Sequence, residues 1–233
     1  MNISAMILAA GLGTRLAPLT NDKPKALVEV GKKTLLEQAI NKVIGANIHQ
    51  IVINIHHFGN QIVDFVNQHS FDADILISDE TPLLKDTAGG FKQAENFFLH
   101  SDHILLYNVD ILSSIDLMMM QQTHIEQDNL ATIAVRDRQT ERYFIFDQKN
   151  MQLCGWKNNK TGEVRMNCPT ENPVDYAFSG IHFVKKNMLN YIQNDQKLSF
   201  TPLYLELCKQ EKIVGYLHQN DAWNDVGKLS EIY

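Results

Sequence analysis

The sequence predicts an open α/β sandwich on a mostly parallel sheet, with a small antiparallel β insertion. Five short aliphatic or β-branched runs, Ile3 to Ala9, Ile51 to Ile55, Asp74 to Ile77, His103 to Val109 and Ala131 to Val135, alternate with helical patterns, which is the βαβ rhythm. The fourth run is apolar nearly throughout, across Ile104, Leu105, Leu106 and Tyr107, so it needs cover on both faces, as a strand between two helical layers has. After Arg136 the pattern changes to short alternating segments broken by turn residues such as Asn158-Asn159 and Thr161-Gly162.

Taken in order, Thr34 to Ala46 lines up Leu35, Leu36, Ala39, Ile40, Val43 and Ile44 as one helical stripe that closes near Gly45. Asn60 is placed to cap a second helix carrying Ile62, Val63, Phe65 and Val66. Gly90 to Leu99 reads as a third helix and Ser114 to Gln127 as a fourth, with Ile115, Met118, Met119 and Gln122 in line and Met118 to Met120 as core filler. Tyr143 to Phe146, Gln152 to Trp156 and Glu163 to Met166 read as antiparallel strands of an inserted cap spanning 137–175. A strand at Tyr176 to Val184 leads to a helix at Lys185 to Gln193, and Thr201-Pro202 forms an N-cap and first-turn pair for another. With no linker or repeat, the reading is a single domain over 1–233, within the usual size of one core.

Composition narrows the function classes. The chain has 233 residues, 44% hydrophobic and 21% charged, with 21 Lys plus Arg against 27 Asp plus Glu. A net charge of −6 with scattered cations argues against nucleic acid as a partner. Cys154, Cys168 and Cys208 are an odd set without Cys-x-x-Cys spacing, which encodes neither a disulfide framework nor a zinc site. The apolar run Ile3 to Leu12 lacks a preceding cation, and no stretch reaches the roughly 18 apolar residues of a membrane span. The expectation is a cytoplasmic protein with no membrane partner. Exposed cap strands leave a homo-oligomer open.

The chemistry is expected at the carboxyl edge of the sheet, where open α/β folds bind ligands. The first strand runs into Leu8-Ala9-Ala10-Gly11-Leu12-Gly13-Thr14-Arg15-Leu16, whose glycines let backbone N–H groups approach phosphate. The dinucleotide fingerprint fails because Leu16 stands at the third glycine position and strand two ends in Ile55-His56. No phosphate-binding loop of the ATPase type occurs either. His56 and His57 have no acidic partner placed by the pattern and read as loop residues.

The pattern Leu8 to Thr20, closed by Pro24-Lys25, resembles the signature of the sugar-1-phosphate nucleotidyltransferases. The resemblance continues through Asp86-Thr87-Ala88-Gly89-Gly90, Tyr107-Asn108-Val109-Asp110, Phe178-Ser179-Gly180-Ile181 and Trp223-Asn224-Asp225-Val226-Gly227. It is nearest to short bacterial members resembling N-acetylmuramate-1-phosphate uridylyltransferases and mannose- or heptose-1-phosphate guanylyltransferases. The fold it implies is their Rossmann-like three-layer sandwich. The activity it implies joins a nucleoside triphosphate to a sugar 1-phosphate with Mg²⁺, releasing pyrophosphate and supplying a nucleotide sugar for cell-envelope glycans. Two alternatives stay open: a choline-phosphate cytidylyltransferase of the same fold, which shares Pro24-Lys25-Ala26-Leu27-Val28, and a nucleotide-binding regulatory subunit without turnover.

Both reactants are anions, so cations are expected to dominate the site. By the resemblance, Arg15 grips the β- and γ-phosphates and Lys25 meets the α-phosphate as the catalytic pair. Asp110, at the end of a buried strand, and Asp225 hold Mg²⁺ through oxygen donors. Leu8, Ala10, Gly11, Gly13 and Thr14, with Asp79, Thr87, Ala88 and Gly89 opposite, form the nucleotide-binding surface, small residues letting the base meet main-chain groups. Asn108 and Gly180 face the sugar, Gly180 because a side chain would collide with it. The Glu-Lys-Pro segment that holds the acceptor phosphate in many members is missing, leaving Arg138, Arg142 and Lys157 as substitutes.

Overall fold

The computed structural model describes residues 1–81 and 83–227. Strands are β1 (Ile3–Leu8), β2 (Glu29–Val30), β3 (Lys33–Thr34), β4 (Gln50–Ile55), β5 (Asp74–Asp79), β6 (His103–Asn108), β7 (Ile111–Ser113), β8 (Ala131–Arg136), β9 (Arg142–Asp147), β10 (Leu153–Asn158), β11 (Glu163–Met166), β12 (Pro173–Lys185), β13 (Ile213–Leu217) and β14 (Trp223–Asp225). Helices are α1 (Leu35–Ile44), α2 (Gly59–Gln68), α3 (Asp86–Gln93), α4 (Leu117–Glu126) and α5 (Phe200–Leu207). The main sheet runs β11-β10-β9-β12-β6-β1-β4-β5, with β8 also on β12 and β13 on β8. β1, β4, β5 and β6 are parallel, as are β8 and β13, whereas β12 is antiparallel to β6, β8 and β9. The cap strands thus prolong the main sheet through the first half of β12.

Side-chain alternation explains the layers, because successive residues of a strand face opposite sides. Ala5, Ile7, Ile51, Ile53, Leu105 and Tyr107 join a core with Leu35, Leu36, Ile40, Val43 and Ile62 of α1 and α2. Met6, Val52, Ile104 and Leu106 join the opposite core with Phe91, Leu203, Tyr204 and Leu207 of α3 and α5. In register, Leu8 of β1 lies beside Asn54 of β4 and Asn108 of β6, so three parallel strands end level at one edge.

Several elements differ from expectation for identifiable reasons. Helix α2 begins at Gly59 after Phe58 in the left-handed region (φ 56°), so Asn60 sits inside the first turn rather than capping it. Helix α3 starts at Asp86, four residues before the expected Gly90, and gives way to a single 3-10 turn, Glu95–Phe98. In α4 the inward stripe is Leu117, Met120 and His124, and Met118 and Met119 are 57% and 53% exposed; only Met120 of the three methionines fills the core. Lys186–Tyr191 is a 3-10 helix, and α5 begins at Phe200 with Ser199 at the N-cap position, two residues earlier than Thr201-Pro202 would have it. Strands β2, β3, β7, β13 and β14 went unanticipated: all but β13 are two or three residues long, too short for a period.

Buried polar groups also anchor the sheet. His103 Nδ1 lies 3.0 Å from His124 Nε2, and His124 Nδ1 lies 2.9 Å from Thr132 Oγ1. His182 on β12 pairs with the Tyr204 hydroxyl of α5. Burial pushes His124 and His182 down from the usual 6.5 to about 3, so both imidazoles stay neutral in the folded chain. The unfolded chain takes up those protons below 6.5 while the folded chain does not, so stability is complete above that pH and falls as acid is added. Each group contributes up to about 1.4 kcal/mol per pH unit between 6.5 and about 3. Urea midpoints at about pH 7 and about pH 5 check this; equal midpoints contradict it.

Candidate functional site

The crevice opens where β1, β4 and β6 end level. Asn54, 3% exposed inside an otherwise apolar strand, accepts hydrogen bonds through Oδ1 from Ala9 N at 2.7 Å and Ala10 N at 3.3 Å. Its Nδ2 donates to Glu80 Oε1 at 2.5 Å, and Glu80 Oε2 accepts from Lys85 N at 3.1 Å. Burial raises the Glu80 carboxyl above the usual range, opposed by these donors. The polar chain Ala9, Asn54, Glu80 and Lys85 fixes the turn after β1 against the loop before α3.

Above this floor lies a cavity of about 410 Å³ bounded by Leu8, Ala10, Gly11, Lys25, Thr87 and Asp110, together with Asn54, Glu80, Asn108 and Lys197. Gly11 has open space where a Cβ would stand. A second cavity of about 290 Å³ lies beyond Asp110, with Arg15, Arg138, Arg142, Trp156, Gly180 and Asp225 on its walls. Asn108 and Asp110 line both.

Asp110, just past β6, forms an ion pair with Lys25, each side chain little exposed at 12% and 13%. Pairing of β14 with β7 sets Asp225 opposite Ile111, and Val226 N donates to Asp110 O at 3.0 Å. Gly227 measures the convergence: a Cβ there would stand 2.7 Å from Asp225 Oδ1, 2.8 Å from Asp110 Oδ2 and 3.0 Å from Arg15 Nη2. Arg15, Lys25, Asp110 and Asp225, drawn from four separate segments, therefore meet at one point. Two carboxylates facing one small space are a donor set that fits a hard cation such as Mg²⁺, which takes one or two carboxylates rather than a full protein cage.

Arg15 follows the glycine turn directly. The 3-10 turn Thr14–Leu16 buries Leu16 completely and sends Arg15 outward, so its guanidinium lines the second cavity and not the first. Gly13 turns in the left-handed region (φ 66°), where a Cβ would press on Lys25 Cβ at 3.0 Å; neither it nor Thr14 lines the first cavity. Asp79 is exposed, its Oδ1 accepts from Thr81 N at 2.8 Å, and it does not line the first cavity, whereas its neighbour Glu80 does.

Ala88 and Gly89 are buried, and both amides donate to Leu198 O, at 2.9 and 3.0 Å. Their small size answers to protein packing, since a Cβ at Gly89 would strike Gln196 O. Likewise Gly180 has φ 78° and a Cβ there would lie 2.5 Å from Ile111 Cγ1, so its own fold demands glycine before any sugar does.

Among the cationic substitutes, Lys157 is paired with Asp175 and does not line the second cavity. Arg138 does. Its guanidinium stacks on Trp223 at 4.6 Å, Nη2 donates to Phe178 O at 3.1 Å, and its buried Nε has no partner among the described residues. Burial lowers its pKa against the opposing pull of Asp225, yet a guanidinium stays charged. Asn54 and Lys197 escaped the sequence reading, and Trp223 entered it only as part of a motif, without a role. Asn54 alone left a signal, a polar residue inside the apolar run Ile51 to Ile55.

Cations and carboxylates gathered at the carboxyl edge of a parallel sheet define an α/β protein built to hold phosphate groups. The Nucleotidyl transferase family profile matches residues 4–233, and the chain belongs to that family. Over 97 residues, 39% of this chain, it is 43% identical to the N-acetylmuramate alpha-1-phosphate uridylyltransferase of Caulobacter vibrioides, of whose length the match spans 38%. The Neisseria meningitidis serogroup B protein of the same name is 27% identical over 99% of this chain and 95% of its own. A mannose-1-phosphate guanyltransferase from Yarrowia lipolytica is 23% identical over 97% of this chain, and the chain spans 61% of that protein. UDP-glucose pyrophosphorylase from Acinetobacter baumannii superposes with a TM-score of 0.80 at 15% identity, covering 100% of this chain and 91% of that one. HddC from Yersinia pseudotuberculosis, solved with GMP-PN, gives 0.78 at 17%, covering 100% and 97%. At these identities the structures establish the Rossmann-like sandwich and no more. No helix among the described residues is long and apolar enough to cross a membrane.

Proposed function

We propose that the protein transfers a nucleotidyl group from a nucleoside triphosphate to a sugar 1-phosphate, releasing pyrophosphate. The observation that carries this reading is the meeting of Arg15, Lys25, Asp110 and Asp225 at the wall between two cavities. The first cavity takes the nucleotide, its triphosphate toward Lys25, and the second takes the sugar phosphate. An acceptor phosphate oxygen attacks the α-phosphorus; a P–O bond forms there as the bond to the β-phosphate breaks, and pyrophosphate leaves with the electron pair. The nucleophile is already an anion, so no general base is needed.

Lys25 stabilises charge on the α-phosphate from the nucleotide side, and Arg15 does so from the acceptor side. Arg138, a desolvated cation with no direct ion pair among the described residues, grips the acceptor phosphate. Asp110 and Asp225 would hold Mg²⁺, which when bound screens phosphate charge and orients the oxygens it contacts. Asp110 meanwhile keeps Lys25 compensated.

The Neisseria relative is coextensive with this chain and is named for uridylyl transfer to N-acetylmuramate 1-phosphate. Three arginines in the acceptor cavity exceed what one phosphate needs and leave Arg142 for a carboxylate on the sugar. UTP with a carboxylate-bearing sugar 1-phosphate is therefore our preferred pair, with a cytoplasmic role in cell-envelope glycan supply. Those same arginines would repel a quaternary ammonium, which weighs against choline phosphate. Pyrophosphate release from UTP, GTP, dTTP, CTP and ATP, each with a panel of sugar 1-phosphates and Mg²⁺, tests the reading. Acceptor-dependent release with UTP supports it; triphosphate binding without release on any acceptor would instead support the regulatory alternative.

A further inference from the structure

Strand β12 is interrupted where it passes the second cavity. Its ladder with β8 pairs Phe178 with Val135 and resumes with His182 opposite Ile133, four steps on β12 against two on β8. Such a bulge leaves backbone groups without ladder partners and re-aims the chain, here presenting Gly180 to the cavity.

Neighbouring segments satisfy what the bulge frees. Arg138 Nη2 donates to Phe178 O at 3.1 Å, and Trp223 Nε1 donates to Ser179 O at 2.9 Å. The Ser179 hydroxyl lies 2.7 Å from His218 Nε2, and His218 Nδ1 lies 2.8 Å from both oxygens of Asp221. Asp221 Oδ2 also accepts from Ser113 Oγ at 3.1 Å. Since a carboxylate only accepts, Nδ1 carries the proton, and Nε2 of the neutral ring accepts from Ser179. Burial lowers the His218 pKa, with Asp221 opposing. The connectivity matches that of a hydrolytic triad, but Ser179 is 0% exposed and cannot reach a substrate.

We propose that Ser179, His218 and Asp221 are positioning residues for the acceptor half of the site. They lock the bulge, and through the carbonyls of Phe178 and Ser179 they seat Arg138 and Trp223, two residues before Asp225. The inference rests on the acceptor reading given above.

Ser179→Ala, His218→Gln and the double variant test it beside the wild type. Ser179→Ala is expected to raise KM for the sugar phosphate about fivefold, with UTP affinity by calorimetry within about twofold. The double variant is expected to be no worse than the worse single one, because the residues act in series. Unchanged acceptor KM, an equal loss of UTP affinity, or additive losses would overturn the proposal. Wild type without acceptor-dependent turnover defeats the acceptor reading instead. Trp223 emission in a Trp156→Phe background then judges the relay alone: a red shift on Ser179→Ala supports it, and an unchanged spectrum overturns it.

Discussion

Asp110→Asn is expected to lower acceptor-dependent pyrophosphate release by at least about 10³-fold, equivalent to about 4 kcal/mol of transition-state stabilisation. The effect is large because one carboxylate serves both cavities: it pairs with Lys25 on the nucleotide side and faces Asp225 and Arg15 on the other. The amide keeps the shape but loses the charge, so Lys25 is left uncompensated and the oxygen set proposed for Mg²⁺ would be halved in charge. Steady-state kinetics over a range of Mg²⁺ concentrations measures this. A variant within about tenfold of wild type would remove Asp110 from the chemistry.

Arg138→Ala comes second. Its guanidinium combines the stack on Trp223, the bond to Phe178 O and a buried Nε with no partner among the described residues. A hydrogen bond to a charged group is worth about 1.5–3 kcal/mol, so KM for the sugar phosphate should rise roughly 10- to 150-fold. UTP affinity should hold, since Arg138 does not line the first cavity. Arg138→Lys should recover little, because an ammonium cannot lie flat on Trp223 while bonding in the plane of a fork. Parallel kinetics of the two variants, with UTP calorimetry, decides it; equal losses for both ligands would show a general collapse of the site.

What the sequence made legible follows from how each feature is encoded. The strands β1, β4 and β6 are written as apolar runs because both their faces are covered, and their carboxyl ends locate the crevice. Lys25, Asp110 and Asp225 lie far apart in the chain, and only the long resemblance joined them. The face of α4 was misassigned because apolar residues occur all round it, and burial chooses Leu117, Met120 and His124. Which cavity Arg15 lines could not be read from spacing, since the direction of a 3-10 turn depends on Leu16 reaching the core. The β12 bulge has no local signature, so neither the seat of Arg138 nor the pairing of Ser179 with His218 could be read from spacing.

The proposed chemistry depends on two anions occupying separate cavities that meet at Asp110. A crystal structure with a non-hydrolysable UTP analogue, Mg²⁺ and a sugar 1-phosphate tests it most directly. The base is expected between Leu8 and Thr87, the acceptor phosphate on Arg138, and its attacking oxygen about 3–3.5 Å from the α-phosphorus beside Lys25. Both ligands competing for one cavity, or the sugar phosphate bound away from Arg15 and Arg138, would contradict it.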